Sequence, residues 1–149
     1  MDGKNLMIGD WLTYEGILFQ VKEITTSEVF LTDKTGKRYV SLSSDTADGI
    51  PLTKDIMDLN GFTYELDYGA FHRSIIGDIP TDNYISVGWN SKGEMTGYEI
   101  AKSSNDDVMN NVLHRKKQVS YGNSQLMVHE FQHLLHGCGY QEMARNFIV

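Results

Sequence analysis

Only one stretch of this chain repeats its apolar residues at helical spacing over several turns. At about 100° per residue, Met127, Val128, Phe131, Leu134, Leu135 and Cys138 fall on one side, the stripe that a helix lays against a sheet. Gly122-Asn123-Ser124 opens the segment and Gly137 and Gly139 close it, which predicts a helix over 123–137 with His129, His133 and His136 on its opposite, outward face. Apolar residues elsewhere must then be organised mostly as strands.

Residues 10–14, 17–24, 29–32 and 37–42 read as four short strands rich in β-branched and aromatic residues. Tyr14-Glu15-Gly16 and Asp33-Lys34-Thr35-Gly36 place glycines where tight turns need positive φ. A meander this small buries its apolar face best when curved, so the expectation is an SH3-like half-barrel. Residues 41–49 (SLSSDTADG) are polar and strand-breaking and mark the best boundary. Beyond it, Thr53 can cap a short helix over 54–59, with Asn60-Gly61 as its exit. Strands are expected over 62–66, 70–76, 84–89, 94–101 and 116–121, and the apolar tail 143–149 packs back on the body or adds a strand. The fold class is therefore α+β: an SH3-like meander over 1–49, and over 50–149 an antiparallel sheet packed by the C-terminal helix.

A chain of 149 residues suffices for one domain with a core that needs no staples, and its single cysteine, Cys138, suits a reducing cytosol. No apolar run approaches a membrane span or a leader, so the expected location is the cytoplasm. A net charge of −7 repels phosphate backbones. The one basic run, His114-Arg115-Lys116-Lys117, reads as a solvated loop, so nucleic acid is not the expected partner.

Within the strong helix, His129-Glu130-Phe131-Gln132-His133 matches H-E-x-x-H, the spacing with which zinc peptidases present two imidazoles and a general base. Residues four apart on a helix are neighbours, so His129 and His133 could share a zinc ion and Glu130 could activate its water. A catalytic zinc needs a third protein ligand, and the sixteen residues after His133 contain one carboxylate, Glu142. The longer H-E-x-x-H-x-x-G-x-x-H pattern fails as well, with His136 at its glycine and Gly139 at its histidine. His136 stands about 10.5 Å along the axis from His129, too far to share an ion without strain. The expectation is no metal and no catalytic residue, with zinc, Glu130, His129 and His133 as the alternative.

Other candidates are weaker. Cys138 lies on the apolar stripe, where an inert buried thiol is expected. Asp78, Asp82, Asp106 and Asp107 lack calcium-loop spacing, and Gly36-Lys37-Arg38 sits in a hairpin turn, not between a strand and a helix.

Three stretches together carry a resemblance: Ile8-Gly9-Asp10-Trp11-Leu12 with Tyr14-Glu15-Gly16 and Val21-Lys22-Glu23-Ile24; Ile50-Pro51-Leu52-Thr53 leading to Asn60-Gly61-Phe62; and Val128 to Leu134. They resemble small proteins without an established activity that gut Bacteroidales, their phages and mobile elements encode. The resemblance leaves out the region from about Phe71 to Lys117. It implies an N-terminal barrel-like meander and a closing helix. In that family the helix reads V-H-E-L-Q or V-H-Q-L-Q followed by asparagine or histidine. The resemblance thus implies that the positions of Glu130 and His133 accept residues unable to act as base and ligand, and that His129 has a structural contact. The expected function is a noncatalytic accessory protein that binds a protein partner. The alternatives are a small zinc hydrolase and a nucleic-acid-associated module using Arg115 to Lys117.

Overall fold

The computed structural model describes residues 6–42, 47–65, 70–74, 84–103, 115–122 and 124–149. The N-terminal strands form where the turn residues demand. β1 (Trp11–Tyr14), β2 (Ile17–Ile24), β3 (Val29–Asp33) and β4 (Tyr39–Leu42) pair antiparallel in chain order, with Gly16 (φ 77) and Gly36 (φ 72) supplying the left-handed turn residues. A two-residue strand, β5 (Ala47–Asp48), occupies part of the stretch expected to break strands, and it pairs with β1. The order is therefore β4-β3-β2-β1-β5.

That order forces curvature. In a flat sheet, inter-strand gaps of about 4.8 Å would hold β4 about 19 Å from β5. The connection from Leu42 to Ala47 reaches at most about 18 Å when fully extended. The sheet therefore cannot be fully flat, and it does not close among the described residues.

α1 (Lys54–Leu59) starts where Thr53 accepts the Ile56 amide at 3.3 Å and ends at Asn60, with Gly61 at φ 80. β6 (Thr63–Glu65), β7 (Ala70–Ser74), β8 (Tyr84–Trp89), β9 (Met95–Ser103) and β10 (Arg115–Tyr121) form a second antiparallel sheet, in the order β10-β9-β8-β7-β6. α2 (Val128–Gly137) packs on this sheet, and α3 (Gln141–Arg145) follows. Tyr140 ties the end of α2 to β9 by donating its hydroxyl to the Ala101 carbonyl at 2.6 Å. Burial pushes that phenol up to about 12, so it stays a donor. The α+β class expected from the pattern of elements is the class observed.

The start of α2 differs from expectation. The helix begins at Val128, not near 123, because the backbone just before it is used elsewhere. Leu126 N donates to Met95 O at 2.7 Å, Leu52 N to Leu126 O at 3.0 Å, and Val128 N to Ile50 O at 2.8 Å. These bonds hold 126 and 127 extended, bridged to Pro51. Asn123, Asp78, Asp82, Asp106, Asp107, His114 and the ends of the strands expected over 62–66 and 70–76 lie outside the described residues.

Two clusters of buried side chains result. Leu12, Phe19, Val21, Val29, Leu31 and Ala47 fill the curled sheet together with Leu6. The larger cluster joins the second sheet to α2 through Phe62, Phe71, Ile85, Ile100, Phe131 and Leu135, among others. β1 serves both, since Leu12 points into the first cluster and its neighbour Trp11 into the second. Tail residue Phe147 is buried in the larger cluster, and the Asn60 amide pairs with both backbone groups of Ile148. Among the described residues no helix is long and apolar enough to cross a membrane.

Candidate functional site at the closing helix

The H-E-x-x-H residues sit where α2 meets the segment that leads into β1. Each takes a local role before any chemistry is available to it. Glu130 turns back to its own helix start and accepts the Met127 amide at 2.9 Å, satisfying one of the donors that a helix N-terminus leaves open. Gln132 is buried, 2% exposed, and uses its whole amide. Its Oε1 accepts the Trp11 amide at 3.1 Å, and its Nε2 donates to the Gly9 carbonyl at 2.8 Å and the Ala144 carbonyl at 2.9 Å. One side chain thus links the start of β1, α2 and α3. Trp11 adds a bond of 2.6 Å from its indole Nε1 to the Phe147 carbonyl.

His133 points at Asp10. Its Nε2 stands 2.6 Å from Asp10 Oδ2, whose carboxylate also accepts the Met7 amide at 2.8 Å. Asp10 is 2% exposed and His133 28%. A carboxylate only accepts, so Nε2 carries the proton in this pair. His129 packs edge-on against His133 with ring centroids 5.9 Å apart, and a Cβ added at Gly49 would come within 3.1 Å of its Cε1. Its Nδ1 is buried without a hydrogen-bond partner.

The expectation that these imidazoles decorate an outer face is corrected by this geometry. The apolar stripe does face the second sheet, but the Gly9-Asp10-Trp11 segment covers an adjacent arc of the same helix, and His129 and His133 lie along that arc. An amphipathic pattern reports the wider buried face and is blind to a second, polar contact. His136, half-buried, gains no partner among the described residues.

Asp10 is the carboxylate that the residues after His133 could not provide, and it tests the zinc alternative directly. Two ligands of a tetrahedral zinc at about 2.0 to 2.1 Å stand about 3.3 Å from one another. The 2.6 Å contact between Asp10 and His133 is a charge-assisted hydrogen bond with no space for an ion between its atoms. Glu130, spent on the helix start, does not address them. Among the described residues no three histidine, cysteine, aspartate or glutamate side chains are grouped to hold a metal ion. Glu142 lies in the first turn of α3, Cys138 is a buried thiol, and the side chains of Arg115 to Lys117 fall outside the described residues.

Burial lowers the pKa of His129, outweighing the attraction of Asp10 and Glu130, while the nearby His133 lowers it further. The unfolded chain, with its imidazole near 6.5, therefore binds the proton more readily than the folded one. Folding stability should fall as pH drops below about 6.5. Urea midpoints measured from pH 7.5 to pH 5 should show the decline, and His129→Gln should flatten it; an unchanged slope in that variant would assign it to other groups.

Parts of the three stretches that carry the resemblance lie against this helix or the segment before it. Gly9, Asp10 and Trp11 bond to Gln132 and His133, Ile50 to Leu52 bond to the strand leading into α2, and Phe62 packs its ring 6.0 Å from that of Phe131. No protein-family model, no curated protein and no solved structure matches the chain.

Proposed function

We propose that this chain is a noncatalytic protein-binding module in which the H-E-x-x-H residues clasp the closing helix to the N-terminal meander. The observation that carries the reading is the employment of the motif: Glu130 on its helix start, Gln132 on three backbone groups and His133 on Asp10. A hydrolytic centre needs an open coordination position and an uncommitted base, and these residues offer neither. The return of β5 to β1 supports an SH3-like half-barrel for the meander, a scaffold suited to binding in its open side. The family resemblance supports an accessory role in a phage or mobile element, acting in the bacterial cytoplasm.

The competing reading is a small zinc hydrolase, favoured by one observation, the carboxylate of Asp10 beside His133. Protein purified without a metal-affinity tag should contain far less than one zinc per chain. His133→Ala should lower stability without changing metal content. Stoichiometric zinc, lost in that variant together with hydrolysis of a casein substrate, would overturn the module.

A further inference from the structure

The N-terminal sheet leaves a gap between its β1–β2 hairpin and β4, and the gap has chemistry of its own. Tyr14, Ile17 and Phe19 on one side and Tyr39 and Val40 on the other line a concavity of about 320 Å³, with Glu15 and Arg38 at opposite walls. Tyr39 is 58% exposed and stacks on Phe30, with ring centroids 5.4 Å apart, so its ring stands at the rim of the gap.

Among the described residues, the edge strand beside this gap has no charged residue of its own. Of the other edge strands among the described residues, β5 has two residues, β6 has three, and the sequence of β10 opens on the basic run Arg115-Lys116-Lys117. β4 reads Tyr39-Val40-Ser41-Leu42 and carries no charge. Asp33 N donates to Arg38 O at 3.2 Å, so the antiparallel alternation turns the N–H and C=O of Tyr39 and Ser41 away from β3. Those groups have no partner among the described residues.

Charge selects the occupant. The chain is acidic overall, yet the β3–β4 turn holds Lys34, Lys37 and Arg38. The Asp33 carboxylate is taken up within the turn by Thr35 and by the amides of Thr35 and Arg38, and Lys34 donates to the Val149 carbonyl. Lys37 and Arg38 thus form a cationic rim along β4, with Glu15 as the anion across the gap.

We propose that this gap takes an extended peptide segment of a partner protein, which adds a strand to β4, seats an apolar side chain between Tyr14, Phe19 and Val40, and sets an acidic residue against Arg38. Strand addition supplies affinity through main-chain bonds, the concavity supplies side-chain selection, and Glu15 fixes which end of the acidic segment lies near β4. The inference rests on the reading of the chain as a protein-binding module and names its surface.

The test uses the full chain, isotope-labelled, titrated with a synthetic heptapeptide of alternating threonine and valine around a central phenylalanine, ending in aspartate. A counterpart ends in lysine. Amide shifts should be confined to 14–19 and 38–41, with exchange at Tyr39 and Ser41 slowed about tenfold or more. The acidic peptide should bind about fivefold tighter, and Arg38→Glu should reverse that order. Ser41→Pro removes an outward N–H that β3 does not use, so it should abolish binding with the unfolding midpoint nearly unchanged. Failure of both peptides to bind at about 1 mM would overturn the proposal. So would shifts on another face, an unaltered Arg38→Glu preference, or slowed Tyr39 and Ser41 exchange that grows with protein concentration alone, the sign of a second copy at β4. Binding on another face would sink the β4 surface and leave the module standing, whereas stoichiometric zinc with hydrolysis would remove the module itself.

Discussion

Replacing Gln132 with leucine should cost about 4 kcal/mol of folding stability, because two groups would be left buried without partners at about 1 to 3 kcal/mol each. These are the Trp11 amide and the Ala144 carbonyl; the third partner, the Gly9 carbonyl, keeps a bond of 3.1 Å from Gln20 Nε2. Leucine fills much of the same volume, so the loss reports the hydrogen bonds more than a cavity. Gln132→Glu should be no better, since a carboxylate keeps the Trp11 amide but faces two carbonyls where the Nε2 donor stood. Urea denaturation should show a lower midpoint with an unchanged slope, and the melting temperature should fall by about 10 °C. A loss below about 1 kcal/mol would mean that water reaches these groups and that Gln132 is not the clasp.

Asp10→Ala is expected to cost about 3 kcal/mol. The substitution removes a buried acceptor from two donors, the Met7 amide and His133 Nε2, at the point where the meander meets α2. Because His133 is partly exposed, its ring recovers some solvation, which keeps the loss below that of a fully buried ion pair. The pair can be isolated by a double-mutant cycle with His133→Ala, where a coupling of about 1 to 2 kcal/mol is expected. His133→Asn retains a side-chain N–H for Asp10 and should cost less than His133→Ala, by about 1 kcal/mol. Equal losses in the two variants would show that the ring's packing against His129, and not the bond to Asp10, is what position 133 contributes.

These two substitutions probe one arrangement from its two ends. Gly9, Asp10 and Trp11 present backbone groups and a carboxylate, and α2 answers with Gln132 and His133. A pattern of residues familiar from hydrolases is thereby used for attachment. The carboxylate of Glu130 accepts the amide at its own helix start and His133 is closed on a hydrogen bond to Asp10, so the motif's spacing is kept while both side chains are engaged locally. Spacing on a helix places side chains near one another; reactivity also requires that they remain uncommitted.

Local interactions made much of the architecture legible from residues alone. The hairpin glycines at 16 and 36, the Thr53 cap, the Asn60-Gly61 exit and the apolar stripe of the closing helix each depend on residues within a few positions of one another, so their outcome is written in short segments. The candidate residues His129, Glu130 and His133 were identifiable in the same way. Gln132 left a fainter signal, a polar residue about 40° from Val128 on the wheel, beside the buried arc. The tertiary structure alone decided the rest. β5 is too short to carry a pattern, and α2 starts late because Met95 and Leu52 claim the backbone before it. Asp10 and His133 lie 123 positions apart. Whether two such residues meet depends on how the curled sheet seats against the helix, a sum over contacts from both bodies that no local periodicity records.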